Sequence, residues 1–177
     1  MGEEAVASAA WDARRGMVPG TSSFEDFFDA EMDRLLRSLV VITGSATEAE
    51  DIAQEAFVRV YERWDRVGAM DDPSGYLHRA AMNVFRSRYR RARRAIGRTL
   101  KIANDRGALS AVEDRDEVDR ILASLSPRQR AALVLTEALG YPGKEAAELL
   151  GIRPSTVYAL THQARKALEQ IPEATDA

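Results

Sequence analysis

The chain has 177 residues, with 25 lysines and arginines against 28 aspartates and glutamates, and a formal charge of −3 argues at face value against a nucleic-acid binder. Hydrophobic residues make up 45% with only 11 glycines and 6 prolines, enough for a packed core and too rich for a disordered chain. The absence of cysteine excludes disulfides, thiol nucleophiles and cysteine-bound zinc, and His78 and His162 alone leave little for metal or acid–base chemistry, so no cofactor is expected.

Residues 1–21 carry Glu3, Glu4 and Asp12 where a secretory signal needs positive charge, and read as a flexible extension. Ser22 with Glu25 forms a capping-box pattern, followed by a helical stripe through Phe24, Phe28, Leu35, Leu39 and Ile42 that stops at Gly44. Thr47 with Glu50 repeats the pattern, and Ile52, Ala53, Ala56, Phe57, Val60, Tyr61 and Trp64 give a second helix. Asp72 and Pro73 start a third, with Leu77, Ala80, Ala81 and Val84 inward. Periodicity fades from Arg94 to about Asp114, which predicts a linker between domains. Beyond it Val118, Ile121, Leu122 and Leu125 predict a short helix, and Ser126-Pro127 with Gln129 opens another that ends at Gly140. No stretch alternates as a strand does, and the longest aliphatic runs, at 39–42 and 133–135, are too short for a bilayer. The expectation is an all-α, soluble, cytoplasmic protein of two small helical domains, 22–94 and 115–171, joined by a flexible linker at 95–114 and followed by a tail at 172–177.

The charge is unevenly placed. Residues 1–78 hold 16 acids and 7 bases, residues 79–104 hold nine bases and no acid, and residues 105–177 hold 12 acids and 9 bases. The basic block falls on the third helix, where Arg79, Asn83, Arg86 and Arg90 share one face. Tyr76, His78, Met82, Phe85 and Tyr89 interleave with them, at least two of these joining the core. Cations beside rings that can stack on bases suit single-stranded nucleic acid, and each stack contributes about 1–3 kcal/mol. The second helix instead presents Asp51, Gln54, Glu55, Arg59 and Glu62 outward, a face that is either solvated surface or a docking site for a basic partner.

Ala147, Gly151, Val157 and Leu160 fit a helix-turn-helix: a small residue at the close crossing, a glycine at the turn, and apolar residues inside the second helix. Arg153, Ser155, Thr156, Tyr158, Ala159, His162, Arg165 and Lys166 are then available to face a duplex groove, the alternative being a helical hairpin that is merely structural.

In this order the features resemble the extracytoplasmic-function sigma factors of bacterial RNA polymerase, over residues 24–171. Glu48-Ala49-Glu50-Asp51-Ile52-Ala53-Gln54-Glu55-Ala56-Phe57 resembles the region 2 signature, which implies polymerase binding by Asp51, Gln54 and Glu55. Tyr76-Leu77-His78-Arg79-Ala80-Ala81-Met82-Asn83-Val84 resembles the part that melts and captures the minus-ten element, which implies DNA contacts by Tyr76, Arg79, Asn83, Arg86 and Arg90. Leu125-Ser126-Pro127-Arg128-Gln129-Arg130, with Ala147 to Gly151 and Ser155-Thr156-Val157, resembles region 4, which implies minus-thirty-five contacts by Arg153, Ser155, Thr156, Tyr158, His162, Arg165 and Lys166.

The implied partners are core RNA polymerase, promoter DNA as duplex and melted strand, and an anti-sigma factor. Tyr76 stands where the family usually has Trp, and Pro142 where it has a Ser or Thr cap. Tyr158, Leu160 and Gln163 stand where Lys or Arg is common, which implies fewer phosphate contacts and a shallower salt dependence. The alternatives are a sigma-like decoy for an anti-sigma partner and a helix-turn-helix regulator acting without polymerase. An enzyme would need more than the exposed pair Asp51 and Glu55.

Overall fold

A helix start leaves amides without intrahelical partners, and Ser23 meets one of them. Its hydroxyl accepts from the Asp26 amide and opens α1, Phe24–Thr43. The computed structural model describes residues 23–99 and 122–169, the side chains of 96–99 excepted. The first cap therefore lies at Ser23 with Asp26 rather than Ser22 with Glu25. Helix α1 ends at Gly44, whose φ of 73° is a backbone conformation that glycine adopts without strain.

Ser45, not Thr47, caps α2, Ala46–Tyr61, by accepting from the Glu48 amide. The expected second helix stops short of Trp64, which instead begins a separate turn, α3, Trp64–Val67. The break lets the indole pack 5.5 Å from Phe24 and 5.1 Å from Phe27, centroid to centroid. Asp72 accepts from the Gly75 amide at 2.9 Å at the start of α4, Pro73–Thr99. This helix runs five residues past Arg94, into the stretch expected to be linker. Its last turns are rich in arginine, the charge that a helix C-terminus favours.

In the second half, Ser126 and Gln129 complete a reciprocal capping box at the start of α5, Pro127–Leu133. A π-helical turn, Val134–Ala138, follows. Then come α6, Gly143–Leu150, and α7, Pro154–Leu168. Every regular element among the described residues is helical. Of the helix expected before Ser126, Leu122 to Ser124 are helical. Val118 and Ile121 lie outside the described residues, as do the expected extension, most of the linker and the tail.

Leu35, Leu39 and Ile42 of α1, Ile52 and Val60 of α2, and Leu77 and Val84 of α4 are all at most 1% exposed. Full burial of such side chains stabilises by about 1.5–3 kcal/mol each. Ala147 and Val157 are buried as the helix-turn-helix pattern predicts. The apolar cluster is continuous from Phe27 to Val157, so the two halves share a core.

Among the described residues, Arg130 and His78 make buried polar contacts between the halves. Arg130, 1% exposed, donates from Nε to the Ile42 carbonyl at 2.9 Å and from a terminal nitrogen to the Thr43 carbonyl at 3.2 Å, both at the C-terminal end of α1. Its other terminal nitrogen donates to the carbonyls of Leu122 and Leu125 at 2.9 and 2.8 Å. The second contact joins His78 Nδ1 to the Tyr141 hydroxyl at 2.7 Å, with both residues buried.

Burial, with a smaller push from Arg34, lowers the His78 pKa from 6.5 to about 4, against an opposing pull from Asp72. The imidazole is therefore neutral at pH 7. As pH falls below 6.5 the unfolded chain takes up a proton that the folded chain refuses until about 4. This contribution to stability is full above pH 6.5 and lost as pH falls to about 4. In urea unfolding from pH 7 to 4, wild type should lose on the order of 3 kcal/mol more than His78→Leu; parallel pH profiles would refute the assignment. Arg130→Ala, which removes four hydrogen bonds to carbonyls, two of them buried, should lower the unfolding free energy by at least about 2 kcal/mol in the same assay.

Candidate polymerase and nucleic-acid interfaces

Helix α2 buries Ile52, Ala53, Ala56 and Phe57 and so turns Asp51, Gln54 and Val58 to solvent. Asp51 and Glu55 are not free acids here. Arg88 of α4 reaches Asp51 Oδ2 at 3.1 Å and Glu55 Oε2 at 3.6 Å, and Arg59 reaches Glu55 Oε1 at 2.6 Å. All of these side chains are substantially exposed, so the pairs contribute little stability and can exchange for an incoming cation. Beside them Val58 and Tyr61 are exposed apolar groups, 54% and 63% accessible. The sequence pattern did not single out Arg88, because its partner lies on another helix.

Along α4, Arg79, Asn83 and Arg90 are exposed and share one face. Arg86, one turn from Asn83, is half-buried and lies against the bare α-carbon of Gly151 in the second half. Of the five rings and apolar groups expected to interleave with these cations, His78, Met82 and Phe85 are buried in the core. Tyr76 is half-buried against the core, and Tyr89 stacks on Phe85 at 5.9 Å with Arg128 over its ring at 5.4 Å. The α4 face is thus mainly cationic, and its aromatic component is thinner than the sequence suggested.

In the helix-turn-helix, Gly151 adopts φ 63° and turns the chain between α6 and α7. Arg153, Ser155, Thr156, Tyr158, His162, Arg165 and Lys166 are all exposed on or beside α7. Tyr158 and His162 lie one turn apart with rings 3° from parallel and centroids 6.4 Å apart. Arg165 pairs with Glu137 of the π-helical turn at 2.5 Å. Between that turn, the start of α6 and the edge of α7 is a groove of about 450 Å³, lined by Thr136, Lys144, Tyr158 and His162 among others. The Thr161 hydroxyl is buried beneath it with no partner among the described residues. Pro142 precedes α6 without a side-chain cap.

Among the described residues no group of three or more potential metal ligands occurs, and no helix is long and apolar enough to cross a membrane.

Residues 27–95 match the family model for sigma-70 region 2, and residues 115–168 match that for sigma-70 region 4. The RNA polymerase sigma-E factor of Streptomyces avermitilis is 31% identical over 156 residues, covering 86% of this chain and 87% of that one. The chain belongs to the extracytoplasmic-function sigma factors. The ECF RNA polymerase sigma factor EcfG of Rhodopseudomonas palustris is 27% identical over 158 residues, with 87% of each chain covered. Among solved structures, the sigma factor RpoE of Bartonella quintana, crystallised with the anti-sigma factor NepR, superposes with a TM-score of 0.62 at 21% identity. That match covers 83% of this chain and 94% of the other, and shows a shared fold. As a sigma factor the protein is a transcription initiation factor, which directs core RNA polymerase to promoters and initiates transcription by melting DNA.

Proposed function

We propose that three surfaces divide the sigma-factor function. Asp51, Gln54 and Glu55 of α2 dock on a basic surface of core polymerase, exchanging Arg88 and Arg59 for the partner's cations. Arg153, Ser155, Thr156, Tyr158, His162, Arg165 and Lys166 meet the minus-thirty-five duplex, with α7 in the major groove. Arg79, Asn83, Arg86, Arg90 and Tyr76 take the melted minus-ten strand. Asn83 offers a donor and an acceptor to a base edge, and the arginines track phosphates. A base leaving the stack for such a pocket supplies free energy for melting.

The observation that carries this reading is the exposure of Arg79, Asn83 and Arg90 along one face of α4, separate from the acidic face of α2. In this reading residues 22–94 form the polymerase and minus-ten unit and residues 115–171 the duplex unit. An anti-sigma factor is the proposed regulatory partner, by analogy with the complex in which the Bartonella quintana protein was crystallised. The working site is cytoplasmic, where polymerase and promoter DNA meet.

Arg86 has further to travel than its neighbours. Its guanidinium must swing away from Gly151 before it can reach a strand. Tyr158 in place of a cation favours apolar contact with base edges over phosphate binding, which makes duplex affinity less salt-dependent.

Asn83→Ala should spare polymerase binding and reduce open-complex formation about tenfold, in line with about 1–3 kcal/mol for a lost base contact. Permanganate footprinting reads this out, and normal melting would reject the role. Asp51→Arg places like charge against the basic partner and should weaken core binding about tenfold or more in a titration; an unchanged affinity would remove α2 from the docking surface.

A further inference from the structure

Arg86 and Arg90 of α4 and Arg128 of α5 converge from the two halves on a cavity of about 60 Å³. Phe85, Leu150 and Ile152 form its apolar walls, and no carboxylate lines it. Among the described residues these three guanidiniums have no ion-pair partner. Two of them rest against residues that also line the cavity. Arg86 lies against the α-carbon of Gly151, where any side chain would displace it, and Arg128 is held over the Tyr89 ring.

Three cations facing one another in a partly dry cleft repel unless an anion sits between them. The strain is visible at Arg86, whose pKa is lowered by burial first and then by Arg90 and Arg128. The space holds one tetrahedral oxyanion within reach of all three guanidiniums. Guanidinium forks match the oxygens of a phosphate in paired hydrogen bonds, which a carpet of lysines would not do.

We propose that this cleft is a binding site for a single phosphate group, held by Arg86 and Arg90 from one half and Arg128 from the other. The bound group neutralises all three cations and ties the halves together. Arg128 lies outside the proposed minus-ten surface, so it is the residue that distinguishes this site from that one. The two surfaces share Arg86 and Arg90, so phosphate in the cleft withdraws two arginines from the melted strand.

The phosphate has two possible sources, a free phosphate ion and a backbone phosphate of a DNA strand. Thermal unfolding of the full chain in sodium phosphate and in sodium chloride at equal ionic strength tests the site. The midpoint should lie about 2–4 °C higher in phosphate. Arg128→Ala, an exposed substitution with no buried contact to lose, should abolish the difference, and Arg128→Lys should restore only part of it. Equal midpoints in the two salts, or an undiminished shift in Arg128→Ala, would overturn the proposal.

Given the shift, anisotropy with a labelled twelve-nucleotide single strand identifies the source. A Kd weakened about threefold or more in Arg128→Ala assigns the cleft to a backbone phosphate. An unchanged Kd assigns it to the free ion. Asn83→Ala separates the two readings: it should weaken strand binding and leave the phosphate shift intact, so failure of strand recognition would not touch the phosphate site.

Discussion

A guanidinium taken out of water with no carboxylate in ion-pair contact must be met by dipoles, and Arg130 is met by four carbonyl oxygens. Two of them close the last turn of α1, which has no basic residue of its own there. The arginine thus supplies from the second half the positive charge that the C-terminal end of α1 lacks. Its other two bonds hold the segment ahead of α5, at Leu122 and Leu125. One side chain therefore fixes the end of α1, the approach to α5 and the spacing between the halves. Burial lowers its pKa, with Glu48 pulling the other way, and the group remains charged. The shared apolar core and the contact between His78 and Tyr141 form at the same separation.

That separation governs which surfaces are available. The outward face of α7 is open, as are Asp51 and Gln54 on α2. On α4 the exposure is graded: Arg79 and Asn83 face solvent, while Arg86 is engaged by the turn of the helix-turn-helix. On the proposed assignment, the duplex and polymerase surfaces are already exposed, whereas Arg86 has first to leave Gly151. This ordering agrees with a protein whose overall charge of −3 gives it little attraction for DNA as a free chain. Polymerase contact would come first, and strand capture last.

The stripes of α1, α2 and α4 were legible because burial imposes a 3.6-residue period that survives in the residue order. The helix-turn-helix was legible for the same reason, with Ala147, Gly151 and Val157 in fixed register. Caps were less so. Ser22 and Ser23 each have an acid three residues on, as do Ser45 and Thr47, and only packing of the following stripe selects Ser23 and Ser45. The end of α4 was misjudged because Gly97 reads as a breaker while the five residues after Arg94 stay helical. The fates of His78, Met82 and Phe85, buried rather than presented to a strand, depend on the second half covering α4. Arg128 and Arg130 read locally as the start of a helix. Their partners are distant in sequence, 88 residues away for Arg130 and Ile42, and no local pattern encodes such a pairing.

The π-helical turn at Val134–Ala138 also deserves a physical reading. An α-helix advances its side chains by about 100° per residue, so one additional residue in a turn rotates everything after it by that amount. Here the added residue brings Leu139 inward and delivers Tyr141 to His78. The segment works as a phase shifter between two helices that must both serve the core. Deleting one residue from it would leave a better-formed α-helix locally while turning Tyr141 away from its partner, so the length of this stretch is constrained more tightly than its composition.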